Sequence, residues 1–140
     1  MRCKIDLWEL DPDGFHLVVT GKLMDTPVSL LLDTGANHTC FDRVFFDQLH
    51  NGKTVVMGHD EVNVGIGGDD FETLLTEVEG LSIGRISFPK MEVRLVDLQN
   101  VNAMYNQAGF SSIHGVIGGD FLHRYHAVIN YKTGKLKLHF

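Results

Sequence analysis

The 140-residue sequence predicts an all-β protein, mainly strand with two or three short helices. Two observations carry that expectation. Short apolar or alternating runs recur along the chain, separated by clusters of Gly, Pro, Asn and Asp, which is the pattern of strands joined by turns. Helical spacing of apolar residues is confined to brief stretches at 42–49, 98–105 and 120–125.

Residues 5–10 alternate loosely and run into Asp11-Pro12-Asp13-Gly14, whose fixed and positive φ preferences make a hairpin turn. Residues 15–20 and 22–24 are rich in Val, Leu and Phe, and Asp25-Thr26-Pro27 breaks the chain before a further strand at 28–32. Asp42 is placed to cap a short helix carrying Val44, Phe45 and Leu49, closed by Asn51-Gly52. Residues 61–64 alternate, Gly65-Ile66-Gly67-Gly68-Asp69-Asp70 intervenes, and 71–78 resumes, which predicts a long hairpin with a glycine tip. Ile83-Gly84-Arg85-Ile86 makes a tight turn leading into a strand at 91–96, with Met91, Val93 and Leu95 on one face. Asp97 can cap a helix bearing Leu98, Val101, Met104 and Tyr105, and Gly109 stops it. A short apolar strand at 116–118 precedes Asp120, read as the cap of a last helix with Phe121, Leu122 and Tyr125 inward. Residues 127–131, Lys132-Thr133-Gly134 and 135–140 form a closing hairpin with Leu136 and Leu138 on one side.

The length suits one domain over 1–140, large enough to bury a core without metals or disulfides. A net charge of −6 with scattered Lys and Arg leaves no footprint for phosphate backbones, so nucleic acid is not expected as a partner. No stretch approaches the ~20 apolar residues that span a bilayer, and Asp6, Glu9 and Asp11 follow the N-terminus where a signal peptide would be apolar. Cys3 and Cys40 are open between one bridge and two free thiols on sequence alone, free buried cysteine being common. These features predict a soluble, cytoplasmic protein with no membrane contact.

Chemistry concentrates at Leu30-Leu31-Leu32-Asp33-Thr34-Gly35, an apolar run ending in a carboxylate, a hydroxyl and a glycine. Burial disfavours a carboxylate's charged form, so an acid at such a strand end is either hydrogen-bonded to its neighbours or kept to handle protons. A turn cap is the commoner role for a lone Asp-Thr-Gly. Here a second apolar strand ends Val116-Ile117-Gly118, about eighty residues on, and the glycine-tipped hairpin lies between the two.

That order resembles a retropepsin-like aspartic protease lobe. The family's first strand ends in Asp-Thr-Gly-Ala or Asp-Thr-Gly-Ser, matched by Asp33-Thr34-Gly35-Ala36. Its second ends in two apolar residues and a glycine, and its flap tip is glycine-rich like Gly65-Ile66-Gly67-Gly68. Gly118-Gly119-Asp120-Phe121-Leu122 and the hairpin around 128–131 look most like the small bacterial, single-lobe members. The resemblance implies an acid-protease barrel with one lobe per chain, catalytic Asp33, Thr34 and Gly35, and substrate-binding Ala36, Gly65, Ile66, Gly67, Gly68 and Ile117. It implies no cofactor and no metal.

Amide hydrolysis needs a proton accepted and another delivered, and this chain carries one Asp-Thr-Gly. A two-fold homodimer would set Asp33 against its own copy. Two unit charges ~4 Å apart at an effective dielectric of ~20 repel by roughly 4 kcal/mol, about three pKa units, so such a pair shares one proton. By the resemblance Thr34 braces the pair, Gly35 lets backbone approach it, and Gly67 and Gly68 let the flap close over an extended peptide.

The remaining candidates read as structural. Gly65 to Gly68 lacks the following Lys-Ser or Lys-Thr of a phosphate loop, His123 and His126 lack a third metal ligand at recognisable spacing, and Asp69-Asp70 suits a solvated turn. Asn37-His38 stands where many relatives place a small hydroxyl residue, and His38 beside Asp33 would shift its working pH. The expected function is a homodimeric aspartic endopeptidase acting on a peptide or protein substrate. The alternative is a catalytically silent dimeric peptide-binding module with the same fold.

Overall fold

The computed structural model of the chain describes residues 1–10, 12–63 and 70–140. Thirteen strands and three helices occur among the described residues, in two sheets. The first hairpin pairs β2 (Asp6–Leu10) with β3 (Gly14–Leu23) around Pro12 and Asp13; β1 (Arg2–Lys4) precedes it. Then β4 (Thr26–Leu32) folds back on β3 through Met24 and Asp25. Both turn residues have positive φ, 48° and 65°, the conformation that matches the twist of paired strands. The expected break at Asp25-Thr26-Pro27 is therefore one residue late. Pro27 sits inside β4, opposite Lys22, and is tolerated because β4's other neighbour in the sheet begins only at Leu30.

After β5 (Cys40–Asp42), helix α1 (Arg43–Leu49) is capped as expected, with Asp42 Oδ2 accepting from Phe45 N at 3.1 Å. Strands β6 (Gly58–Asn63) and β7 (Asp70–Val78) form the long hairpin, whose tip, Gly65-Ile66-Gly67-Gly68, lies outside the described residues. Short strands β8 (Leu81–Ile83) and β9 (Ile86–Ser87) flank the Gly84-Arg85 turn, and β10 (Met91–Val96) buries Val93 and Leu95. Helix α2 (Gln99–Gln107) buries Tyr105 but leaves Val101 and Met104 exposed, so its apolar spacing overstates its contact with the core. Strand β11 (Gly115–Ile117), helix α3 (Gly119–Arg124), β12 (Val128–Asn130) and β13 (Lys135–Lys137) complete the chain.

Nine strands follow one path, β6-β7-β10-β5-β11-β4-β3-β8-β9, with β2 added on β3, and a separate sheet has the order β1-β13-β12. At the centre β11 runs parallel to β4, with Gly115, Val116 and Ile117 opposite Leu30, Leu31 and Leu32. The two apolar strands that end at Asp33 and Gly118 in the sequence thus lie side by side. The main core gathers Leu30, Leu32, Phe41, Phe46, Ile83, Leu95, Ile117, Leu136 and Leu138, each side chain contributing about 1.5–3 kcal/mol by leaving water. A smaller cluster of Leu98, Tyr105, Ile113 and Val116 packs with Trp8, Leu31 and Ala36. Successive strand residues face opposite ways, so Leu30 and Leu32 serve the main core while Leu31 serves the smaller one.

Candidate active site

The ladder between β4 and β11 extends one residue beyond β4, where Asp33 N donates to Ile117 O at 3.0 Å. That bond fixes the backbone at Asp33. The chain then turns: Ala36 N donates to Asp33 O at 3.2 Å and Gly35 N to Asp33 Oδ1 at 3.0 Å. Asp33, Thr34 and Gly35 are all exposed on the single chain. Among the described residues, the Gly35 amide is the hydrogen-bond donor that reaches the Asp33 carboxylate. A carboxylate has about four acceptor positions, so this one keeps capacity for a water or a second acid.

The next residues are pinned against the end of β11. Gly119 N donates to Ala36 O at 2.7 Å and Asp120 N to Asn37 O at 3.3 Å. Thr39, only 1% exposed, donates its hydroxyl to Asp120 Oδ1 at 2.8 Å and accepts from Gly118 N at 3.1 Å. Its own N–H reaches both Asp120 oxygens, at 2.9 and 3.1 Å. Asp120 also accepts from Phe121 N at 2.8 Å. The expectation that Asp120 caps the last helix is corrected here. Gly118 occupies the cap position, and Asp120 sits inside α3 because its carboxylate spans to the loop carrying Asp33. Gly118 is held so close to that loop that a Cβ would lie 2.7 Å from His38 C and 2.9 Å from Ala36 O.

Ala36 is half-buried in the smaller cluster beside Leu31 and Val116. Ile117, expected to bind substrate, is fully buried in the main core, and the strand's alternation puts Val116 on the opposite face with the smaller cluster. Among the described residues no hydrogen bond joins the exposed His38 to Asp33. His123 and His126 are exposed, with ring centroids 6.3 Å apart.

A cleft of about 450 Å³ opens at Asp33 and Thr34, walled by Phe15, Leu17, Leu31, Ile129 and Tyr131, with His16 in its lining. His16 Nδ1 lies 2.6 Å from the Tyr105 hydroxyl. Burial, and then the charge of Asp33, push the Tyr105 phenol up. Burial also lifts the Cys40 thiol to about 11, against a lowering hydrogen bond from Val116, so it stays neutral behind the site. Sequence reasoning missed His16, Tyr105 and the role of Thr39. The one available signal was His16 standing among the apolar residues Phe15, Leu17, Val18 and Val19.

Solved structures share this architecture. The chain is similar to the retroviral protease-like domain of Ddi1 from Leishmania major, at a TM-score of 0.58 and 16% identity over 88% of this chain and 87% of that one. A retropepsin-like aspartic protease from Rickettsia conorii matches at TM-score 0.56 and 13% identity, covering 97% of this chain and 90% of that one. EIAV protease complexed with the inhibitor HBY-793 matches at TM-score 0.55 and 18% identity, covering 88% and 99%. At these identities the likeness establishes a retropepsin-like fold. No curated protein matches the chain in sequence. Residues 19–121 match a family model described as aspartyl protease, which takes in the strand that ends at Asp33, the strand that ends at Gly118, and Asp120 between loop and helix. By that match, over well more than half of its length, the chain belongs to the aspartyl protease family.

Proposed function

We propose that the protein is a homodimeric aspartic endopeptidase that cleaves extended peptide segments with a water activated between two copies of Asp33. One observation carries the proposal. Asp33 stands exposed at a rigidly held strand end, while the carboxylate at the matching end of β11, Asp120, is committed to Thr39. One chain therefore supports half of a proton-sharing pair, and a second chain around a two-fold axis would supply the other half. The strand edge beside the site favours this. β12 is the edge of its three-stranded sheet, Val128 and Tyr131 are 49% and 68% exposed, and Ile129 and Tyr131 share the cleft with Asp33 and Thr34.

In the proposed dimer the ionised member of the pair takes a proton from water and the protonated member polarises the scissile carbonyl. Thr34 braces the two loops, Gly35 fixes the carboxylate through its N–H, Ala36 borders the peptide, and Gly65, Ile66, Gly67 and Gly68 close over it. Free Cys3 and Cys40 fit a reducing, cytoplasmic setting. Peptide-library cleavage tests the reading: Asp33→Asn is expected to abolish turnover while leaving the fold intact, and activity per chain is expected to fall on dilution below the dimer constant. Full specific activity in dilute monomer would remove the shared pair. Peptide binding without cleavage from acid to neutral pH would replace the endopeptidase with a binding module.

A further inference from the structure

We infer that His16, held by Tyr105, selects the substrate side chain that enters the cleft beside Asp33, and that it favours one with an apolar stem and an acceptor oxygen at its tip, glutamine or glutamate. This deepens the endopeptidase reading and rests on it. The cleft wall is apolar at Phe15, Leu17, Leu31 and Ile129, and His16 is the one lining residue able to present a cationic donor. Ile129 lies in the edge strand β12 that a partner copy would cover in the proposed dimer, and Tyr131 just past it, whereas His16 lies on β3.

The imidazole is oriented. Tyr105 is 1% exposed, and among the described residues its hydroxyl has His16 Nδ1 as its hydrogen-bond partner. Burial and the Asp33 charge keep that phenol protonated, so the hydroxyl donates to Nδ1 of a neutral ring instead of leaving a buried proton unpaired. The ring proton then sits on Nε2. If the ring gains a second proton, Nδ1 donates to the phenol oxygen and Nε2 still donates. His16 therefore offers an N–H from Nε2 in both charge states. Trp8 and Phe110 hold Tyr105 in turn: Trp8 meets it edge-on at 5.2 Å and stacks on Phe110 at 4.8 Å. Gly14, which precedes His16 on the same strand face, puts no side chain over Nε2, where a Cβ would lie 3.5 Å away. A donor that stays a donor selects acceptor oxygens whether they are amide or carboxylate.

The test is side-chain profiling in two arms. Cleavage of a peptide library by the unmutated protein should show, at one position next to the cut, at least about tenfold preference for Gln and Glu over the similarly sized Met. His16→Leu should erase it through KM with kcat nearly kept, Tyr105→Phe should weaken it, and His16→Gln, which keeps an N–H donor, should retain part of it. In the second arm, binding of Gln, Glu and Met peptides to Asp33→Asn protein reads the same preference without turnover. Equal use of Met, or a preference unchanged in His16→Leu, overturns the inference. A protein that cleaves nothing yet binds Gln and Glu peptides preferentially through His16 loses the endopeptidase reading and keeps this one.

Discussion

The two parallel strands at the centre of the sheet each deliver a carboxylate just past their ends, Asp33 after β4 and Asp120 after β11, and the two are held in opposite ways. Asp120 gathers bonds from the Thr39 amide, the Thr39 hydroxyl and the Phe121 amide. Asp33 receives the Gly35 amide and is otherwise presented outward. Saturated acceptors hold a structure together, whereas an acid with acceptor capacity to spare can take up a proton, a water or another acid. Two carboxylates of one chemistry are thereby separated into a scaffold, Asp120, and an open, exposed acid, Asp33, which is the one the proposed function uses. The scaffold also serves the open acid, because Asp120 bonds to Thr39 on the very loop that presents Asp33.

The largest contrast expected is in activity. Asp33→Asn should lower cleavage by about a thousandfold or more with little change in melting temperature, as for loss of a reacting group. Asp120→Ala should do the reverse, costing about 1–3 kcal/mol of stability by stranding the buried Thr39 hydroxyl and amide, with activity lost only as the loop loosens. A chemical denaturation series on the two variants checks both, and equal stability losses would dissolve the distinction.

The glycines sharpen it. At Gly118 an added Cβ meets backbone atoms at 2.7, 2.8 and 2.9 Å, so Gly118→Ala should destabilise by about 1–3 kcal/mol through overpacking. At Gly35 an added Cβ would lie 3.3 Å from Asp33 Oδ1, so Gly35→Ala should leave thermal stability within about 0.5 kcal/mol and still reduce turnover. Melting curves alongside a cleavage assay separate the pair.

The smallest effect concerns acid. His114 Nδ1 accepts from Ser29 N at 2.9 Å, and burial lowers its pKa against the opposing charge of Asp42. A lowered folded pKa means that its contribution is complete above the ordinary histidine value of ~6.5 and is lost as pH falls through the folded value. Melting temperature should therefore drop on the order of 2 °C between pH 7.5 and 5, and His114→Gln should flatten that limb. An unchanged slope in the variant would assign the acid limb to other groups.

Much of this arrangement is legible in the residues. Asp42 caps α1, Gly109 follows α2 with φ 87°, and Leu136 and Leu138 are buried as their alternation requires. The hairpins at 6–23 and 58–78 were marked by turn residues. Strands β1, β5, β8 and β9 were not legible, since two or three residues are too few to show a period, and β1 and β5 pair with strands far away in sequence. At the site, Asp33-Thr34-Gly35 stood out as a strand end bearing a carboxylate, but Asp120 read as a cap because the local pattern of an acid before an apolar helix fits one. Ile117 read as substrate-facing because a three-residue strand does not reveal which of its faces looks inward.

The sequence alone determined that a carboxylate, a hydroxyl and a glycine terminate an apolar strand, that a glycine-ended strand follows about eighty residues later, and that apolar spacing is mostly strand-like. Those are local facts, fixed by composition and by the periods of two and 3.6 that strands and helices impose. Only the tertiary structure decided that the two strands lie side by side, that Asp120 is spent on Thr39 while Asp33 is left open, and that His16 meets Tyr105 at the cleft. Those depend on groups 81 and 89 residues apart along the chain, brought together when buried donors and acceptors must each find a partner in the fold.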